Sequence, residues 1–227
     1  MPKFLPMAVV EQTVAPERLL AVEQAIDAFA EGGFVIVYDE LAKEHRGVLL
    51  LAAEHTHEGA LKQLLDHTSG MVCVALPDGH ADRLRLQRLT VDEEHTTTLL
   101  SAGFTVPVDL LGPTTTTGLS AADRSRTVQA LADPQTTPDQ LGCPGHVFPV
   151  CAMPGGVLER EGHAEAAVDL SRLAGLSGVT AVGAVVTADW ELAGHEDLSR
   201  LAASRLLPLI SVADLVAYRL ARQALGR

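Results

Sequence analysis

Apolar residues in this chain fall in short blocks separated by polar turns, and the spacing inside each block predicts its element. Pro16 suits the first turn of a helix, where its missing N–H is not needed. Leu19, Leu20, Val22, Ala25, Ile26 and Phe29 follow as a helical stripe, and Gly32-Gly33 ends it. Phe34–Tyr38 is a continuous apolar run, as in a strand buried on both faces. A polar loop covers 39–47, and Val48–Ala53 reads as a second buried strand. Thr56 and Glu58 open a helix carrying Leu61, Leu64 and Leu65. Met71–Leu76 is a third strand, closed by Pro77-Asp-Gly79.

Beyond it, 90–100 has no clear period, Phe104–Leu110 alternates as a strand, and 114–118 is a polar loop. Ser120 caps a helix, with Asp123 three residues on as its capping-box acid. Val147–Cys151 predicts a strand whose Pro149 suggests a sheet edge or a bend. A helix over 163–174 ends at Gly175, and Ala181–Val186 is a strand. Helices over about 196–206 and 212–224 follow, the second capped by Ser211 with Asp214. Residues 1–14 read as a tail or a docking strand. Helices and strands mix throughout, with no repeat and no proline-rich linker. That predicts one α+β (mixed α/β) domain over 1–227, with strands of mixed direction.

Composition narrows the function classes. Apolar residues make up 47% and aromatics 4%, so the core is built from Leu, Val and Ala. A net charge of −12 argues against a nucleic-acid partner, whose phosphates it would repel. A small anionic substrate remains compatible, because a few local cations override the overall field. Cys73, Cys143 and Cys151 form no CxxC pair and no even framework, which fits free thiols in a reducing compartment. The first ten residues are too short and proline-broken for a signal peptide, and no apolar run is long enough to span a bilayer. These features predict a cytoplasmic protein with no membrane partner.

Chemistry concentrates between Cys143 and Asp169. Cys143-Pro-Gly-His146-Val-Phe-Pro-Val150 and Gly155-Gly-Val-Leu-Glu-Arg160-Glu-Gly-His163-Ala164-Glu165 place two histidines and an arginine among glycines at a strand–helix junction. Such junctions favour metal and phosphate sites. Read singly, the same residues also have plain roles. Glu44 is then a solvated loop acid, His163 a helix cap, and Arg160 a partner of Glu159 or Glu161. His146 is then a core histidine satisfied by backbone, and Asp123-Arg124 a cap with a salt bridge. His55, His57, His67, His80, His95 and His195 carry no motif and read as surface residues.

Together with Gly70–Leu76, Phe104–Asp109, Thr117–Arg124 and Leu207–Arg219, the stretch resembles the 3,4-dihydroxy-2-butanone 4-phosphate synthase family. Those motifs keep the family's order and spacing from about Leu20 to Arg219. The resemblance implies the family fold, a homodimer with sites at its interface, and Mg2+ (or Mn2+)-dependent chemistry on a phosphorylated small molecule, ribulose 5-phosphate or a relative. It implies metal ligation by Glu44 and His163, an essential role for His146, and substrate contacts from Lys43, Arg160 and Thr105. Four of the family's polar positions are lost, and Lys43 stands where the family has an arginine. Arg46 replaces a glutamate, Val48 an aspartate, Ala164 a threonine and Ala184 an essential glutamate. An alanine moves no protons, so the replacements point to altered or partial chemistry such as enolisation or dehydration. A non-catalytic paralog keeping fold and dimer, and a true synthase releasing formate, are the alternatives. His45 and Cys143 are new relative to the pattern and could supply a compensating acid, base or nucleophile.

Overall fold

The computed structural model describes residues 15–40, 46–89 and 103–225. Seven strands form one mixed sheet: β1 Val35–Tyr38, β2 Gly47–Ala52, β3 Val72–Leu76, β4 Val108–Leu110, β5 Leu141–Cys151, β6 Thr180–Ala184 and β7 Leu209–Ser211. Their order is β4-β5-β3-β6-β2-β1-β7. β3 runs parallel to β5, and β1 to β7, while the other neighbours are antiparallel.

Side-chain alternation sends each strand's residues to two separate cores. Val35, Val37, Val48, Leu50 and Val182 join one face, covered by helices α1 Pro16–Ala30, α5 His163–Leu173 and α7 Val212–Ala224. Leu51, Val72, Val74 and Val147 join the other, under α2 Glu58–Asp66, the short α3 His80–Arg83 and α4 Ala121–Ala132. Ile36 and Leu49 pack on that second side against α6 His195–Arg205 through Leu198 and Ala202. β2 is buried along its whole length, as a strand covered on both faces must be.

Several expected boundaries shift, each for a local reason. Only Val108–Leu110 of the run from Phe104 enters the ladder, while Phe104 and Thr105 make single bridges. Pro149 lies in an interior strand, between β4 and β3. Its carbonyl accepts from Thr105 N–H at 3.0 Å, so its missing N–H falls on the side where only the short segment 103–105 covers β5. The cap of α2 is His57, whose ring accepts from Ala60 N–H at 3.3 Å. Thr56 is buried instead, donating to the Ala52 carbonyl at 2.9 Å. Ser120–Asp123 and Ser211–Asp214 cap as expected. Asp123, however, pairs with Arg126 rather than Arg124. β7 is an element the sequence pattern did not predict. Residues 90–100 and the expected tail at 1–14 lie outside the described residues.

Candidate active site

The strand registers bring the candidate positions into one row across the end of the sheet. Val48 pairs with Ala184, and Cys73 with Val182; beyond β3 the register shifts, so that Thr68 bridges Val185 and the Ser69 N–H donates to the Ala184 carbonyl at 3.0 Å. Val72 pairs with Val147, which sets Met71 beside His146, and Val147 in turn pairs with Val108, next to Asp109. Val48, Val182, Cys73 and Val150 all belong to the core under α5, so the row points to that face by alternation. It runs from a polar end, Asp109–His146, to Ala184 of β6 and Val48 of β2. At the β2 end, His163 of α5 meets the backbone of Arg46, its Nε2 3.3 Å from the carbonyl.

His146 and His163 are therefore held apart. β5 and β2 are separated by β3 and β6, three strand spacings or about 14 Å. The closeness of the two histidines in sequence does not carry over into the fold.

Asp109 and His146 form a tight pair. Asp109 Oδ1 accepts the His146 backbone N–H at 2.9 Å, and Oδ2 lies 2.7 Å from the ring Nδ1. The aspartate side chain is 13% exposed and the histidine 40%, so the imidazole stays reachable while its partner is sheltered. The His146 ring thus meets a carboxylate, not the backbone partner of the plain core reading, and its side chain is 40% exposed. Asp109 was visible only as the end of a matching motif, and nothing in the sequence links it to a residue 37 positions away.

Arg160 pairs with Glu165, not with Glu159 or Glu161. Its Nε donates to Glu165 Oε1 at 2.9 Å, and its Nη2 donates to the same oxygen. Glu165 is 1% exposed and also accepts the Met153 N–H at 2.9 Å. The arginine is thereby anchored to the first turn of α5. Glu159 instead receives the Gly155 N–H at 2.7 Å.

Thr105, expected at the substrate, is fully buried, and its hydroxyl donates to the Val106 carbonyl at 3.2 Å. Ala164 is buried in the same core as Val48. Lys43, Glu44 and His45 lie outside the described residues. Cys143 is exposed. Arg124 donates to the Gly70 carbonyl at 3.0 Å, and burial lowers its pKa. Of the histidines read as surface, His67 and His80 are half-buried, and burial lowers the pKa of each. His55 meets the Ala30 carbonyl at 3.1 Å. His95 lies outside the described residues.

Among the described residues, no three His, Cys, Asp or Glu side chains converge as a metal cluster. The described side of the candidate metal site offers one donor, the nearly buried His163. An imidazole joined by a carboxylate and by oxygens of substrate and water would suit a divalent cation, but Glu44, the carboxylate the resemblance implies, lies outside the described residues. No helix among the described residues is long and apolar enough to cross a membrane.

The family model for 3,4-dihydroxy-2-butanone 4-phosphate synthase matches residues 23–218. Riboflavin biosynthesis protein RibBA of Chlamydia trachomatis is 41% identical over 201 residues, covering 88% of this chain and 46% of that protein. The 3,4-dihydroxy-2-butanone 4-phosphate synthase of Nitratidesulfovibrio vulgaris is 40% identical over 198 residues, covering 87% of this chain and 91% of that protein. A crystal structure of such a synthase in complex with two magnesium ions matches with a TM-score of 0.81 at 31% identity, covering 89% of this chain and 98% of that one. The Candida albicans synthase structure matches at 0.78 and 34%, covering 87% and 96%. The chain spans about half the length of the RibBA proteins it matches.

Proposed function

The chain belongs to the 3,4-dihydroxy-2-butanone 4-phosphate synthase family, and we propose that it is a divalent-metal-dependent enzyme acting on a pentulose phosphate by a reaction altered from the family's own. One observation carries the altered reading. The stretch of sheet between the Asp109–His146 pair and the His163 end presents Ala184 and Val48 as a cross-strand pair, neither of which can move a proton.

Each group that remains has work it can do. His146, held by Asp109, can take or return a proton at a substrate carbon or hydroxyl. Arg160, anchored by Glu165, carries positive charge suited to a phosphate or an enediolate. Glu44 and His163 are the residues that would hold Mg2+ (or Mn2+), in keeping with the two magnesium ions named for the related structure. When bound, such a cation supplies positive charge against the negative charge that develops on substrate oxygens. Enolisation or dehydration needs one well-placed acid–base group. Skeletal migration with loss of formate needs several, and positions 48 and 184 no longer furnish theirs. The protein is read as a cytoplasmic homodimer that uses a phosphorylated small molecule in a specialised pathway.

A second reading is that the chain is a synthase outright. It is favoured by relatives near 40% identity that carry that name. Incubation with ribulose 5-phosphate and Mg2+ in deuterated water, followed by NMR, separates the two. Deuterium entering the sugar without formate supports altered chemistry. Stoichiometric formate selects the synthase. Failure to bind any pentulose phosphate overturns both.

A further inference from the structure

We propose that Asp109 is a positioning residue that fixes His146 in a single tautomer with the proton on Nδ1, and that Gly118 closes the backbone over the pair. The inference rests on the reading of His146 as the acid–base group of the site.

Both oxygens of Asp109 serve the same residue. Oδ1 accepts the backbone N–H of His146 at 2.9 Å, and Oδ2 faces the ring Nδ1 at 2.7 Å. An ionised carboxylate only accepts, so the ring nitrogen facing it must carry the proton. The remaining nitrogen, Nε2, then holds the lone pair and serves as the base. One carboxylate thus anchors backbone and ring together, which a single contact to the ring would not do. An irregularity in β5 makes this possible: Val108 pairs with Val147 but the next residue, Asp109, pairs with Gly142, which leaves 143–146 out of the ladder.

The pair is also shielded. Gly118 has φ +83, and a Cβ there would lie 2.0 Å from Asp109 Oδ2 and 2.9 Å from His146 Nδ1. Only a glycine lets the backbone take that conformation and come so close. With Gly118 lying against the hydrogen bond, water is shut out from that side and the bond is strengthened. Arg124, donating to the Gly70 carbonyl at 3.0 Å, lies near enough for its charge to interact with that of Asp109.

Asp109→Asn gives a specific test. The backbone N–H of His146 can only donate, so the amide oxygen of the new side chain must stay where Oδ1 is. That turns the NH2 group toward the ring and obliges Nδ1 to accept, which moves the ring proton to Nε2. Long-range 1H–15N spectra of 15N-histidine-labelled protein report the tautomer, with His146→Gln used to assign the signal. The expected result is Nδ1–H in the parent and Nε2–H in Asp109→Asn. Deuterium exchange into ribulose 5-phosphate should fall about 10²–10⁴-fold with little change in KM, as when a histidine base is held in the wrong tautomer. Asp109→Glu should recover part of the rate. Nε2–H in the parent overturns the proposal, and so does Asp109→Asn keeping Nδ1–H. The parent spectrum needs no variant, so a variant that fails to fold leaves the proposal open to refutation. A parent that exchanges no deuterium refutes the pentulose-phosphate reading, while the spectra still decide the role of Asp109.

Discussion

Val48 and Ala184 face each other across the β2–β6 ladder. Two positions that the family resemblance marks as departures, 136 residues apart in the chain, are therefore neighbours in space, and each is apolar. Val48 is 1% exposed and Ala184 half-buried, so this patch of sheet continues the apolar core. Val48→Asp should cost about 2–4 kcal/mol, because it buries a carboxylate among apolar neighbours. Urea unfolding measures this. Ala184→Glu, at the more open position, should cost less and should raise formate release from ribulose 5-phosphate by tenfold or more, within the range that one placed acid–base group supplies.

Arg160 and Glu165 form the anchor of the α5 entrance. Removing the arginine leaves a carboxylate that is 1% exposed with the Met153 N–H still donating to it. Arg160→Met should destabilise the fold by about 3 kcal/mol, the cost of stranding a buried charge. Glu165→Gln, which keeps the shape and removes the charge, should cost less. Denaturant midpoints of the two variants check the order.

Asp123 contributes to acid stability. The Thr116 hydroxyl, then Ser120, the Thr116 backbone N–H and the Arg126 charge hold its carboxyl well below the usual carboxylate range. A depressed folded pKa gives stability that is fully present above the unfolded value, about 3.9, and is lost as pH falls toward the folded one. Asp123→Asn should therefore flatten the fall in stability below about pH 4. Urea midpoints between pH 5 and pH 2 show the effect as a shallower slope than in the parent.

Cysteine reactivity should separate by burial. Burial pushes the Cys73 thiol up to about 12, and that of Cys151 upward as well, whereas Cys143 is exposed. The thiolate is the reactive form. Iodoacetamide at pH 8 should modify Cys143 first, with Cys73 protected until the protein unfolds. Peptide mass mapping against time distinguishes this from uniform labelling.

Most elements of the fold were legible, because local patterns fix them. The apolar runs of β1 and β2, the serine caps of α4 and α7, and the stripe of α1 each follow from residues a few positions apart. What was hidden depends on pairing across the chain. β7 is three residues long and shows no period, and Pro149 looks like an edge residue until 103–105 is seen covering its outer side. The site followed the same division. His146, Arg160 and His163 stand out as candidates from their glycine-rich setting, but the sequence does not identify Asp109 and Glu165 as the partners of His146 and Arg160. The separation of His146 from His163 is likewise a consequence of sheet order, which sequence proximity does not reveal.

Proton exchange at His146 tests the central claim most directly. Deuterium incorporation into ribulose 5-phosphate, followed by 1H NMR with Mg2+ present, can be compared for the parent and His146→Gln. The parent should exchange a carbon-bound proton without matching formate, and His146→Gln should lower that rate about 100-fold or more. Equal rates in the two proteins, or formate released mole for mole by the parent, would contradict it.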